Sequence, residues 1–147
     1  MSYQYREHIT INSQLYETQS EPLKNFEKEI RQKYVVRKGL LTSLWRDYVG
    51  TWEVDFGRLF LTGIKIPVVD GAGSLKEVSL EPLFGTDDRI FAYWFSGKIT
   101  IKKGRVLMSY FYENIHERDC YYIFTKGIMT DYYEVDNTKK KWEPEPF

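Results

Sequence analysis

The stretch from Leu44 to Ile64 constrains the fold more than any other part of this chain. Trp52 and Val54 alternate with Thr51, Glu53 and Asp55. That is the two-residue period of a strand with one buried and one wet face. Phe56-Gly57 then interrupts the pattern before Arg58 to Ile64 resumes it. Glycine readily adopts the positive φ that such short hairpin loops require. The segment therefore predicts a strand–turn–strand unit whose core includes Trp52, Val54 and Leu59.

The same punctuation recurs. Residues 6 to 18 read as a hairpin turning at Asn12-Ser13. Tyr34 to Thr42 reads as one around Lys38-Gly39. Gly97 to Lys102 and Arg105 to Glu113 flank Lys103-Gly104, and Arg118 to Thr125 and Ile128 to Val135 flank Lys126-Gly127. Two internal echoes follow from this. Gly50, Val54, Gly57 and Arg58 reappear as Gly97, Ile101, Gly104 and Arg105, and Tyr34 to Thr42 is matched by Tyr122 to Thr130. Both duplication and the shared demands of strand–Gly–strand hairpins produce such echoes.

One segment has a different period. Leu23, Phe26, Ile30 and Tyr34 stand three and four residues apart, on one face of a helix, while Lys24, Glu27, Lys28 and Arg31 take the other. Ser20 is placed to cap it and Pro22 to occupy its first turn. Between residues 65 and 88, prolines and Asp–Gly runs leave room only for a short strand near Glu77 to Leu80. Asp70 to Ser74 lacks the Lys-Ser/Thr pair of a phosphate loop and is expected to be a surface turn. Residues 136–147 read as a polar C-terminal tail, with Trp142 able to dock back. The expected fold is mainly β (α+β), one domain over residues 1–147. An antiparallel meander forms a barrel-like or two-layer sheet, with one N-terminal amphipathic helix over an edge or opening.

Composition narrows the function. The 147 residues suffice for a self-sufficient core. Twenty-one basic residues balance 21 acidic ones, against the basic excess of a nucleic-acid binder. Cys120 is the single cysteine, so no intramolecular disulfide forms and a reducing compartment fits. The N-terminus shows no signal-peptide pattern and no segment has the length of a membrane span. A cytoplasmic protein that binds neither nucleic acid nor membrane is expected.

The run Trp45-Arg46-Asp47-Tyr48-Val49-Gly50-Thr51-Trp52-Glu53-Val54, with Gly57-Arg58-Leu59-Phe60-Leu61, resembles an uncharacterised family of small bacterial β-rich proteins. Those proteins carry a Trp-Arg-Gly-Tyr-x-Gly-Thr-Trp-Glu signature. Ile9 to Asn12, Pro22-Leu23, Phe95 to Ile99 and Tyr112 through Gly127 fit the same family. The chain departs from it at Asp47, where glycine is expected, and at Asn12-Ser13, where an Asn–Gly-like turn is expected. The resemblance implies one bacterial β-rich domain and carries no established activity.

Several groupings bring chemistry-bearing residues together. Glu113 to Cys120 collects a thiol, an imidazole and three carboxylates. A Cys–His pair makes a nucleophile only within hydrogen-bond reach. A charged connector, with Cys120 packed as a small apolar residue on a strand, is the expectation. His8, His116 and Cys120 have no paired metal-ligand spacing, and no metal or other cofactor is expected. Glu53 and Asp55 could serve hydrolysis only if Glu113 or Glu117 faced them across a cleft. No catalytic residue is assigned. Trp45, Arg46 and Tyr48 are the binding candidates, because their residue types are enriched at interface hot spots.

The expected function is a non-enzymatic bacterial binding protein with a specific protein partner, of the immunity or antitoxin type that neutralises a toxin. The alternative is a small-ligand or saccharide-binding β-barrel, with or without hydrolysis. Self-association is compatible with either.

Overall fold

The structure, a computed structural model, describes residues 5–34, 44, 46–68, 74–110 and 113–139. Strands β1 (Glu7–Ile11) and β2 (Gln14–Thr18) form a hairpin. A 3-10 turn (Lys24–Phe26) leads into α1 (Glu27–Lys33). Strands β3 (Val49–Asp55) and β4 (Arg58–Pro67) follow, then β5 (Leu75–Val78), the single turn α2 (Glu81–Phe84) and β6 (Ile90–Phe91). Three longer strands complete the set: β7 (Gly97–Tyr110), β8 (Glu113–Thr125) and β9 (Ile128–Asp136).

All nine strands belong to one sheet, ordered β2-β1-β3-β4-β9-β8-β7, with β5 and β6 added to β4. The mainly β expectation holds, with two refinements. The sheet is mixed, because β1 runs parallel to β3. A parallel neighbour needs a long crossover, and here the connection carrying α1 supplies it. The sheet is also not closed into a barrel, since no backbone ladder joins β2 to β7 among the described residues.

The turns follow the sequence closely. Asn12-Ser13, Phe56-Gly57 and Lys126-Gly127 each place both residues at positive φ, the backbone of a two-residue hairpin. The last two turns clasp one another, with Leu59 N–H donating to Gly127 O and Met129 N–H to Gly57 O, both at 2.8 Å. A Cβ on Gly127 would lie 2.6 Å from Ala92 O, so glycine is required there by space as well as by φ.

Lys103-Gly104 is a correction. It does not turn the chain: β7 runs straight through it and pairs with β8 along its length. Gly104, at φ +87, is a bulge that shifts the register between Lys103 and Val106. The same glycine backbone serves a turn in one place and a bulge in the other, so Gly57 and Gly104 are not structural equivalents. The second echo falls largely outside the described residues, as do the Lys38-Gly39 hairpin, most of Asp70–Ser74 and residues 140–147.

The core lies between two halves of the sheet. Ile9, Trp52, Leu59, Leu61 and Ile64 come from one half, and Ile99, Ile101, Cys120 and Phe124 from the other. Each fully buried aliphatic side chain contributes about 1.5–3 kcal/mol. Leu23 and Ile30 are buried, with Phe26 and Tyr34 packed against the same cluster, as the helical spacing predicts. Trp94 pins this cover. It stacks on Phe84 (5.6 Å between centroids), meets Phe26 edge-on (4.8 Å) and donates to Pro22 O (2.7 Å). Ser20 does not cap the helix. Its hydroxyl donates to Lys98 O, and the first helical residues have no side-chain cap.

Candidate functional site

The Trp45–Tyr48 approach to β3 is organised around a buried carboxylate. Glu7, the first residue of β1, is fully buried, and its Oε2 accepts from Arg46 Nη2 at 2.9 Å and from Gly50 N–H at 2.5 Å. Its Oε1 accepts from Trp52 Nε1 at 3.2 Å. Burial pushes the Glu7 carboxyl above its ordinary range, against the opposing pull of Arg46, Gly50 and Trp52. Arg46 also donates to Tyr5 O at 2.8 Å, approaches Glu21 at 3.5 Å, and lies 5.6 Å from the Tyr48 ring centroid.

Next to it Asp47, also buried, sits at φ +66 and accepts from Arg31 Nε at 3.2 Å. Asp and Asn adopt left-handed backbone more readily than most side chains do. The Asp47 backbone is thus one that glycine would adopt without strain.

The three binding candidates separate. Tyr48 is 1% exposed and belongs to the core, so it presents no surface to a partner as the chain is folded. The Arg46 side chain is 11% exposed and engaged by Glu7. Trp45 lies outside the described residues.

The chemistry-bearing clusters are dispersed. Glu113 to Cys120 is not a connector, because all of it belongs to β8. Along a strand four residues span about 13 Å, so His116 and Cys120 are held apart. Cys120 is buried, as expected of a packed thiol, with Glu134 Oε1 3.8 Å from its sulfur. Glu53 and Asp55 both grip Arg89, at 2.6 and 2.9 Å, and that guanidinium covers the Phe60 ring at 3.9 Å. Their strand, β3, is separated from β8 by β4 and β9 in the sheet order. Among the described residues no group of three or more His, Cys, Asp or Glu side chains is arranged to hold a metal.

Two surfaces not anticipated from the sequence stand out. The first is β9, exposed on both faces. Ile128, Tyr132 and Tyr133 are 47%, 40% and 44% exposed. On one face Tyr133 stacks on Tyr121 at 4.8 Å, with Lys98 over the Tyr121 ring at 4.9 Å. On the other Tyr132 packs against Tyr122 at 4.8 Å and donates a short hydrogen bond to Glu134. Desolvation, then that bond, raises the Tyr132 phenol, and the same bond lowers Glu134. Lys103 Nζ lies 3.0 Å from Tyr122 Oη. Burial works against its charge, but Tyr122, Cys120 and Tyr16 outweigh it and hold its pKa above the usual lysine value. Beyond Arg58↔Ile128, no described strand pairs with the β4-facing edge of β9.

The second is a groove of about 520 Å³ where β2 approaches β7, lined by Arg6, Tyr16, Glu17, Lys102 and His116 among others. The alternation of tyrosines at 121–122 and 132–133 was a usable signal for the first surface. Nothing local in the sequence signals the second, because it depends on two distant strands meeting.

Among the described residues no helix is long and apolar enough to cross a membrane. No family model matches the chain, and neither curated proteins nor solved structures yield a similar protein.

Proposed function

We propose that the protein binds a specific protein partner along β9, without catalysis of its own. The observation that carries this reading is the exposure of β9 on both faces, with paired tyrosines on each. Tyrosine supplies large contact area at low entropic cost and is enriched at interface hot spots. A strand edge unpaired by described neighbours offers backbone groups to an added strand. Toxin neutralisation, in the manner of a bacterial immunity protein, is one form of this reading, and its bacterial setting rests on the signature at Trp45–Val54 alone.

Capture from an extract of the source organism, with the intact chain as bait, tests the proposal. A protein recovered in stoichiometric amount and cross-linked to β9 is expected. Recovery of none, or cross-links confined to other strands, would overturn it.

A further inference from the structure

The β4-facing edge of β9 can be assigned group by group. Asn137 N–H donates to Glu117 O at 2.8 Å. Backbone direction alternates along an antiparallel ladder, and the β8–β9 register is unbroken from Asp136 to Asp131. Val135 and Tyr133 therefore turn their N–H and C=O groups toward β8, while Asp136, Glu134 and Tyr132 turn theirs away. Tyr132 N–H is held by Asp131 Oδ1 at 2.8 Å. Among the described residues nothing pairs with Glu134 N–H or C=O, or with Tyr132 C=O. A strand added here would exchange two backbone bonds with Glu134 and donate a third to Tyr132 C=O.

The side chains decide which strands are admitted. Glu134 and Tyr132 share one face of β9, and Asp131 and Tyr133 share the other. Each face thus sets an exposed tyrosine beside an exposed carboxylate. The strand also carries Asp136, and it has no lysine, arginine or histidine. Hydrogen bonds to these carboxylates come from neutral groups. They are Tyr132 N–H on Asp131, the Tyr132 hydroxyl and the Cys120 thiol on Glu134, and Thr138 on Asp136. Arg118, Lys103 and Lys139 act on Glu134 or Asp136 only through space, and among the described residues no ion pair closes on any of the three acids. Like charges across a strand pair repel and opposite charges attract. A second copy would bring one acidic strand against another, the device by which sheet edges refuse self-pairing. Lysine or arginine instead meets a carboxylate without a counter-ion and can lay its stem along the adjoining tyrosine.

We propose that the segment docking on β9 is a basic strand of the partner, with cations three positions apart that face Glu134 and Asp131. That spacing puts the cations on opposite faces of the added strand, as the two carboxylates are on β9. The proposal rests on the reading that β9 docks a protein and adds the charge and spacing of the segment that binds.

Amide NMR and hydrogen exchange of the intact chain test this with three end-blocked peptides. The first is Ser-Val-Lys-Val-Thr-Lys-Val-Ser. The second has glutamate for each lysine, and the third has proline for each valine and so lacks donors for a ladder. The lysine peptide is expected to move the Glu134 and Asp136 amides saturably and to slow exchange at Glu134. The other two should each bind at least about tenfold more weakly, a factor worth about 1.4 kcal/mol. Glu134→Gln, which keeps an acceptor for Tyr132 and loses the charge, should weaken the lysine peptide. Absence of saturable shifts on β9 would overturn the proposal, as would either control peptide matching the first or Glu134→Gln leaving binding unchanged. A captured protein cross-linked to β9, with no response to the lysine peptide, would overturn the basic segment and leave β9 as the docking strand. Binding of the lysine peptide where capture recovers nothing would uphold the preference of the edge and remove the partner from the source organism.

Discussion

Glu7 Oε2 lies 2.9 Å from Arg46 Nη2, with the carboxylate fully buried, so the first strand is fastened to the approach of β3 by a desolvated ion pair. Coulomb attraction alone does not offset the burial of two charges. The Gly50 and Trp52 N–H groups fill the remaining acceptor sites on Glu7 and add to the pull of Arg46, yet burial still holds the carboxyl above its ordinary range. Arg46→Leu, which strands the buried carboxylate, should destabilise the fold by about 3–5 kcal/mol. Urea unfolding of the variant checks this. A loss below about 1 kcal/mol, the value of a surface pair, would show that the pair is solvated.

Gly50 is closed to side chains by the same cluster. A Cβ there would meet Glu7 Oε1 at 2.5 Å and Trp52 Nε1 at 2.7 Å. Gly50→Ala should therefore cost at least the ~1–3 kcal/mol typical of overpacking. Thermal unfolding should show a lowered midpoint, and an unchanged midpoint would mean that the cluster yields freely.

How legible this was differs sharply between the backbone and the site. Phe56-Gly57 and Lys126-Gly127 could be read because two-residue loops need positive φ and glycine provides it. Gly104 misled for the same reason, since a bulge makes the same demand and only the partner strand tells the two apart. Glu113 to Cys120 looked like a connector because it is charged, yet much of β8 there is only half-buried and tolerates charge. The Glu7–Arg46 pair left no local trace, its members being distant in sequence and ordinary in type. The tyrosines of β8 and β9 were visible, but their cross-strand register was not.

Asp47 offers a comparison between backbone and side chain. At φ +66 a non-glycine residue bears about 1–2 kcal/mol of strain, and Asp47 offsets this through Arg31. Asp47→Gly should be less destabilising than Asp47→Ala, which keeps the strain and loses the carboxylate. Chemical denaturation of both variants decides it. Equal losses would place the whole effect in the side chain.

Tyr48 predicts an alkaline dependence. Burial, followed by the charges of Glu7, Glu21 and Glu27, pushes its phenol well above the ordinary tyrosine range. An acid raised in the folded state contributes stability that is complete below its unfolded pKa, near ~10, and lost as pH rises above it. Phenolate absorbance should show Tyr48 resisting ionisation until the chain unfolds, and Tyr48→Phe should unfold at higher pH than the parent. Ionisation of all twelve tyrosines near pH ~10 in the folded state would contradict this.

The seam should respond to one hydroxyl. Thr18→Val keeps the shape but removes the donor to Thr100 O, leaving a part-buried carbonyl without that bond. A loss of about 1–2 kcal/mol is expected, with faster amide exchange across β2 and the facing part of β7. Unchanged exchange there would mean that the hydroxyl bridge does not hold the strands together.

The central claim, that β9 is the docking strand, is tested most directly by paired baits. The intact chain, Tyr133→Ser and Tyr93→Ser would be used in parallel to capture partners, Tyr93 being a still more exposed tyrosine outside β9. One stoichiometric partner is expected on the intact chain and on Tyr93→Ser, lost or much weakened with Tyr133→Ser. A partner retained equally by all three baits would contradict it.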